Sequence, residues 1–565
     1  MPVDNDGANR SGLVSPPTLA CARVTVPEPT ERPMPAVRRP ANGTFNCLGG
    51  GNVSQSSASE DAIDGRDPGR EDREPPVQPS LAGAATRGFL WTTLAWGGNR
   101  LVVLALTALL ARLLVPEDFG LVTAGLTIIT FFDAALDLGV GYALVYEQER
   151  GINARVRLAA GLNLALSASL CLIGVAASPL IARLFGESDQ TALFATLFLY
   201  PLFRGASQVN DAVLKRDMLF KKRTVADLTR AGVRVAVSVP LALTGYGAWS
   251  IALGIIAGEA ACALFMWMLV PIRPDFRLRW SKIKTLVSFG GAVTGVRVLG
   301  SFRASVDYLF IGSVLGSAAL GYYGMGYRLP ELVIANVLWI FTTVAFPVYA
   351  RARVEGLDKL RTTMLKATRL VALFGLTAGT TLAVLAPLAI PVIFSATWEP
   401  AVVPMALISL ALACQSLGWA SGDVFSALGR PGLLLAVDIP ATIIVTIAFG
   451  VAAPQGIAAV AAVHIGFEIV YAIIRVTMAV RVTGVAASAM ARTLAPGFAV
   501  AAAVAAVGLP LRSLLPENSF WSLLALTAAC GAVAFVVAGL TARRELLGVL
   551  GAVRDRAAPR AVPAA

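Results

Sequence analysis

The sequence predicts an all-α polytopic membrane protein, with about 14 transmembrane helices in two parallel six-helix lobes plus two C-terminal helices. Composition, recurring span length and alternating loop charge predict it. Of 565 residues, 56% are hydrophobic and 15% charged, whereas soluble domains carry roughly 25% charged residues. Mean hydropathy is +0.70. This balance excludes a disulfide scaffold, a chain disordered over most of its length and a soluble basic DNA-binding protein. The net charge of +12 has another meaning in a membrane chain, where cations gather in cytoplasmic loops beside anionic lipid. Six Cys and one His argue against a Cys/His metal site. Cys171, Cys262, Cys414 and Cys530 lie in apolar runs, where a thiol behaves as a small hydrophobe. Cys21 and Cys47 lie before the apolar spans.

Residues 1–84 are rich in Pro, Gly, Ser and charge, as in EDAIDGRDPGREDREPP. Such a segment buries too little apolar surface to offset its ordering entropy and reads as a disordered cytoplasmic tail, or as an upstream start. It has no short apolar core with a cleavage site, so it is not read as a signal peptide. Apolar runs of spanning length then recur, at approximately 90–114, 119–145, 156–182, 191–212, 224–244, 248–270, 286–313, 319–348, 367–390, 402–426, 432–453, 457–480, 491–510 and 520–541. Kinks are expected around Pro330, Pro347, Pro387 and Pro391. The division is therefore tail 1–84, first lobe 85–283, second lobe 284–484, a further helix pair 485–542 and a C-terminal tail 543–565.

Loop charge tests this count. One set is basic, including Lys215, Arg216, Lys221, Lys222 and Arg223, then Arg351, Arg353, Lys359, Arg361 and Lys366. The intervening set, VPEDFG, FGESDQ, TGYG, GSAALG, SATWEP, APQG and LRSLLPENS, is short and poor in cations. The positive-inside rule makes the basic set cytoplasmic, with both termini on that side. An internal repeat points the same way. LLARLLVPEDFGLVTAG (109–125) resembles FIGSVLGSAALGYYGMG (310–326), with Gly120 in phase with Gly321 and Gly125 with Gly326. Helices repeated in one orientation imply parallel lobes with a site between them near the midplane.

Motifs of soluble chemistry are missing from the sequence. There is no GxxxxGK[ST] loop, no HExxH and no G-x-S-x-G, so no catalytic residue, cofactor or metal is assigned. GVGYAL, GYYGMG and the Gly291–Gly295 pair lie within predicted helices and suit close packing. Ionisable residues inside the spans carry the functional signal, because each costs about 2.5–3.5 kcal/mol at the bilayer centre. These are Arg100, Asp133 with Asp137, Asp227 with Arg230 and Arg234, Glu259, Arg297, Arg303 with Asp307, Arg328 with Glu331, and His464 with Glu468 and Arg475. Every cation among them is Arg, whose planar fork suits phosphate, although Arg outnumbers Lys forty to seven overall. The bland alternative is internal pairing, such as Arg303 with Asp307 or Arg230 with Asp227. His464 and Glu468 share a helix face and could relay a proton. Asp133, Asp137, Glu259 and Asp307 are candidate sites for a coupling ion.

RGFLWTTLAWGGNRLVVLALTALLARLLVPEDFGLVTAGLTIITFFDAALDLGVGYALV (87–145) resembles the opening of bacterial lipopolysaccharide and exopolysaccharide flippases. These belong to the multidrug/oligosaccharidyl-lipid/polysaccharide exporter superfamily. LKRDMLFKKRTVADL (214–228), DYLFIGSVLGSAALGYYGMGYRLPE (307–331) and FPVYAR (346–351) are similar to it too. The resemblance covers about 85–545. It implies two six-helix lobes plus two helices, residence in the bacterial plasma membrane, and alternating access around a cationic cavity. The implied activity is flipping an undecaprenyl-diphosphate-linked oligosaccharide to the outer leaflet. The implied partners are that substrate, membrane lipids and polysaccharide assembly proteins, with no nucleic acid. Depth and charge, rather than a family motif, make Arg100, Arg234, Arg297 and Arg303 the candidate substrate-binding residues. The rival readings are a peptidoglycan-precursor flippase or a cation-coupled drug exporter of the same superfamily. A membrane polymerase or ligase would need a long outer loop with polar catalytic residues, and every such loop here is about a dozen residues or fewer.

Overall fold

The computed structural model describes residues 81–136, 152–217, 219–276, 280–430 and 432–543, all within one compact unit, Gln78–Ala565. Asp137, the Arg297 side chain and the segments 1–80 and 544–565 lie outside the described residues. All regular structure among the described residues is helical. Hydrocarbon offers no partner for a backbone N–H or C=O, so a spanning segment must satisfy its own. Nine helices there are long and apolar enough to cross a membrane by length and composition. The protein is a multi-pass membrane protein.

Helices α1 (Leu81–Leu113) and α2 (Pro116–Leu136) form the first hairpin. Pro116 opens α2, where its missing N–H costs nothing, and α1 begins inside the segment assigned to the tail. Then follow α3 (Ile152–Leu184), the short α4 (Thr191–Leu197), α5 (Leu199–Arg216), α6 (Phe220–Leu243) and α7 (Ala248–Leu269). The break at Phe198 divides the predicted fourth span between α4 and α5.

Helix α8 (Trp280–Pro330) runs for 51 residues. A straight helix of that length would reach about 77 Å, far beyond the ~30 Å hydrocarbon layer. Gly316, at φ 85 and ψ −179, breaks it into 280–315 and 317–330. Only glycine enters that backbone region freely, and the break falls in GSAALG, one of the predicted cation-poor loops. A π turn at Glu331–Ala335 leads into α9 (Asn336–Glu355). Of the four prolines where kinks are expected, Pro330 adjoins this π turn. Pro347 lies inside α9, while Pro387 and Pro391 lie inside α10 (Leu357–Ile393). The order ends with α11 (Val402–Ala427), α12 (Gly432–Ala452), α13 (Ile457–Thr483), α14 (Ala487–Leu514) and α15 (Phe520–Thr541).

Helices α3–α7 pack mainly with one another and α1 packs on α6, α9–α13 pack mainly with one another, and α14 and α15 lie against α10, whereas α2 and α8 pack chiefly against each other. That α2–α8 contact is the broadest between the two halves. It carries the repeat in physical form. A Cβ on Gly120 would stand 1.7 Å from the Ser317 carbonyl oxygen, and one on Gly321 would stand 2.0 Å from that of Pro116. In the repeat alignment Pro116 is the counterpart of Ser317, so the two contacts are reciprocal, as in an isologous interface. Gly125 meets Phe194 and Leu197, while Gly326 meets Ala401 and Met405. Each half therefore sets its second span against its fourth through a matched glycine.

Outward faces keep large apolar side chains in the open: Leu264, Met268, Ile444 and Trp521 are all more than 60% exposed. A soluble protein rarely shows so much apolar surface, whereas a lipid-facing one must. At the basic end, Arg353 Nη1 donates to the Ala427 carbonyl at 2.9 Å and Arg361 Nε to that of Thr483 at 2.6 Å. Both cations meet unsatisfied carbonyls at helix C-termini, where the helix dipole favours positive charge.

Candidate functional site

Helix α7 carries Gly254 and Gly258 one turn apart, facing α6. A Cβ at 254 would come within 1.8 Å of Ser238 Oγ, and one at 258 within 2.8 Å of the Arg230 carbonyl. This close approach lays Arg230 against Glu259. Arg230 Nε is 3.0 Å from Glu259 Oε1, its Nη1 is 3.0 Å from Asp227 Oδ1, and its Nη2 donates to Cys262 Sγ at 3.1 Å. The Arg230–Asp227 pair, one of the internal pairings that helical spacing suggests, is thus present. Asp133 on α2 lies 3.9 Å from Arg204 Nε on α5.

Arg234, one helical turn beyond Arg230, differs. It makes no ion pair among the described residues, and its Nε is buried without a hydrogen-bond partner. Arg328 of the second half is near enough to repel its guanidinium, and Glu259 of α7 near enough to attract it without forming an ion pair. Arg328 also takes no ion pair among the described residues. It shares a cavity of about 40 Å³ with Arg100 and Thr107 of α1, and with Glu331 and Asn336 at the π turn. The widened turn frees backbone groups, and Asn336 Nδ2 answers by donating to the Glu331 carbonyl at 2.9 Å. Such turns recur at functional sites. At 1.5 Å per residue, Arg100, Arg234 and Arg328 lie roughly 14 to 20 Å below the cation-poor helix ends, near the middle of a bilayer. The cavity has room for a few waters, so a larger head group requires the halves to part.

The charges of the second half form a connected file instead. Asp307, 1% exposed, accepts a hydrogen bond from the Tyr323 hydroxyl at 2.7 Å and lies 3.0 Å from His464 Nε2. Glu468, also buried, accepts from Gln415 Nε2 at 3.1 Å. Arg303 Nη1 is 3.7 Å from Asp438 Oδ1, and Arg303 lies over the Tyr471 ring at 4.9 Å. Tyr471 in turn donates to Asp438. Arg475 lies over the same ring at 5.3 Å and donates to Ser421 Oγ at 3.2 Å. The geometry therefore pairs Arg303 with Asp438 rather than Asp307, and His464 with Asp307 rather than Glu468.

Of the sequence-predicted cations, Arg100 and Arg234 reach the centre, Arg303 sits within the second half, and the Arg297 side chain lies outside the described residues. Of the predicted acids, Glu259 and Asp133 face arginines, Asp307 faces His464, and Asp137 lies outside the described residues. Arg328 is visible in the sequence as a charge in a span, but sequence reasoning does not place it in the site. Its signal is position, three residues before Glu331 and two before Pro330.

A family model described as "Polysaccharide biosynthesis protein" matches residues 109–403, more than half of the chain. The chain belongs to the polysaccharide biosynthesis protein family. The matched stretch runs from the end of α1 to the start of α11, and so includes the α2–α8 contact, Arg234, Arg303 and Arg328. Among curated members, the chain is 22% identical to the teichuronic acid biosynthesis protein TuaB of Bacillus subtilis, over 63% of this chain and 74% of the relative. It is 26% identical to the succinoglycan biosynthesis transport protein ExoT of Rhizobium meliloti, over 58% and 66% respectively. Among solved structures, the lipid II flippase MurJ in an inward closed conformation superposes with a TM-score of 0.64 at 13% identity. That match covers 81% of this chain and all of the other. At this identity the likeness is one of fold.

Proposed function

We propose that the protein flips an undecaprenyl-diphosphate-linked oligosaccharide across the bacterial plasma membrane for lipopolysaccharide or exopolysaccharide biosynthesis. The observation that carries this reading is the unpaired Arg234 and Arg328, one from each half, meeting beside Arg100 at mid-depth. A guanidinium nitrogen buried without a partner, as at Arg234, is costly, and a diphosphate held between it and the more exposed Arg328 supplies an anion through paired, charge-assisted hydrogen bonds. ExoT is named as a succinoglycan biosynthesis transport protein and TuaB as a teichuronic acid biosynthesis protein, both of which suit such a cargo.

In this reading the basic end is cytoplasmic, with both termini there, and residues 85–283 and 284–484 are the moving lobes. The head group enters between them from the cytoplasmic side while the prenyl chain stays in lipid. Arg100, Arg234 and Arg328 replace its water. Arg297 lies on α8 and is retained as a candidate. Arg303, held by Asp438 and Tyr471, shapes the second lobe and does not contact the phosphates. Rocking of the lobes then exposes the sugars to the outer leaflet. No bond is made or broken. Among the acids proposed for ion coupling, Asp307 with His464 has the strongest support, because no arginine neutralises it among the described residues. Glu259 and Asp133 are already engaged by Arg230 and Arg204. The second helix pair, α14 and α15, and the polysaccharide assembly proteins complete the proposed machinery.

Deletion of the gene with analysis of lipid-linked sugars tests the reading. A complete oligosaccharide accumulating on the cytoplasmic leaflet is the expected result. An incomplete glycan would indicate an enzyme, and arrest of wall synthesis would indicate the peptidoglycan precursor. A drug exporter would show neither, and its cavity should be acidic rather than lined by arginine.

A further inference from the structure

The seam between the halves is closed at the cation-poor end by more than the glycine contact. Trp398, 0% exposed, belongs to the second half, in the 3-10 turn Ala396–Ala401. Its indole Nε1 nevertheless donates to the Ala111 carbonyl of α1 at 2.8 Å. Its ring meets the edge of Phe119 of α2 at 5.1 Å and that of Tyr322 at 6.0 Å. Around it, Arg112 Nη2 donates to the Val392 carbonyl at 2.7 Å, and Ser317 Oγ donates to Glu187 Oε1 at 2.7 Å. Ser395, which introduces the turn, has φ 151 and ψ 170, a backbone region ordinarily left to glycine. The turn is held in a strained form while the indole is seated.

We infer that Trp398 is the bolt of an outer latch, seated across the lobes in this conformation and withdrawn, by swinging about Ser395, whenever the central site opens outward. The inference rests on the proposed orientation, in which the cation-poor end is the outer one. Its chemistry is reversible: one indole hydrogen bond, two aromatic contacts and two polar ties, with no buried ion pair to break. At Gly120 and Gly321 the α2 and α8 backbones meet with no Cβ between them, so the two helices open or shut the seam as a unit.

The test reads accessibility and needs no transport substrate. The full-length protein, with its six native cysteines replaced by Ala or Ser, receives Thr107→Cys, a buried position on the central cavity. Intact cells are exposed to a membrane-impermeant maleimide. The parent is expected to label slowly, and Trp398→Ala at least tenfold faster. Trp398→Phe keeps a ring but loses the N–H, and is expected to label about three- to tenfold faster. Ser395→Gly relieves the strain of the seated turn and should slow labelling. If Trp398→Ala folds poorly, Trp398→Phe decides. Labelling of Trp398→Phe at the parental rate, with full labelling after unfolding in detergent, overturns the latch. Because labelling requires no lipid-linked sugar, a negative result here leaves the flippase reading standing, and a positive one survives a change of cargo.

Discussion

The two halves of the bundle share a repeat, and each leaves an arginine without an ion pair among the described residues, but they tie their other buried charges differently. In the second half Arg303, Asp438, Tyr471, Asp307 and His464 are tied into pairs within α8, α12 and α13. In the first half Arg230 is tied to Glu259 and Asp227, yet Arg234, one turn away, makes no ion pair among the described residues and its Nε is buried without a partner. The repeat therefore governs backbone packing, through Gly120 and Gly321 or Gly125 and Gly326, and leaves charge to diverge. Arg234 stands out because Arg230, one turn away on the same helix, is held by two carboxylates.

The largest expected effect falls on the unpaired set. Arg234→Ala or Arg328→Ala should lower surface polymer per unit of protein by about 10- to 100-fold, the range of charge-assisted hydrogen bonds lost in a desolvated site. Lysine at either position should restore only part, because it lacks the bidentate fork. Normal export by either alanine variant would falsify the central anion site.

Arg303→Ala tests the paired half and should act on stability instead. It strands Asp438 without its cation, and both side chains are about one quarter exposed. The expected cost is about 1–3 kcal/mol, below that of breaking a fully buried pair. A lower melting temperature in detergent, largely recovered by adding Asp438→Asn, is the expected pattern. A melting temperature that does not move would show the pair to be incidental.

A smaller effect is expected where packing alone is altered. Gly254→Ala presses a methyl group onto Ser238 Oγ and should cost about 1–3 kcal/mol, as overpacking does. Adding Ser238→Gly should return most of the melting temperature. Glu187→Gln keeps an acceptor for Ser317 and should change stability by no more than about 0.5 kcal/mol, measured the same way.

Much of the fold is legible in the sequence because lipid imposes a coarse rule. Spans must be long and apolar, and loops sort by cation content, so the break at Gly316 falls in a loop read from GSAALG. The reciprocal Gly120 and Gly321 contacts bear the same phase that the repeat alignment gives them. Pairing is less legible. Arg303 and Asp307 stand four residues apart on one helix, which suggests a mutual pair, yet Arg303 takes Asp438 from α12 and Asp307 takes His464 from α13. Helical spacing reports which residues share a face and says nothing of which neighbour that face meets. Arg328 is hidden for a related reason: its importance comes from what α6 and α1 bring beside it. The Trp398 turn lies in a stretch that reads as an ordinary loop, since nothing in SATWEP states that its indole crosses to α1.

The π turn at Glu331–Ala335 has one more effect. An extra residue inserted in a helix of 3.6 residues per turn advances the side-chain phase by about 100°. Residues 317–330 therefore present one face to α2, while α9, beyond the turn, presents another to α10 and α11. A single strand of helix thus answers to two partners, one on each side of the seam. Any substitution that restores plain α geometry there would rotate one of those faces away from its partner.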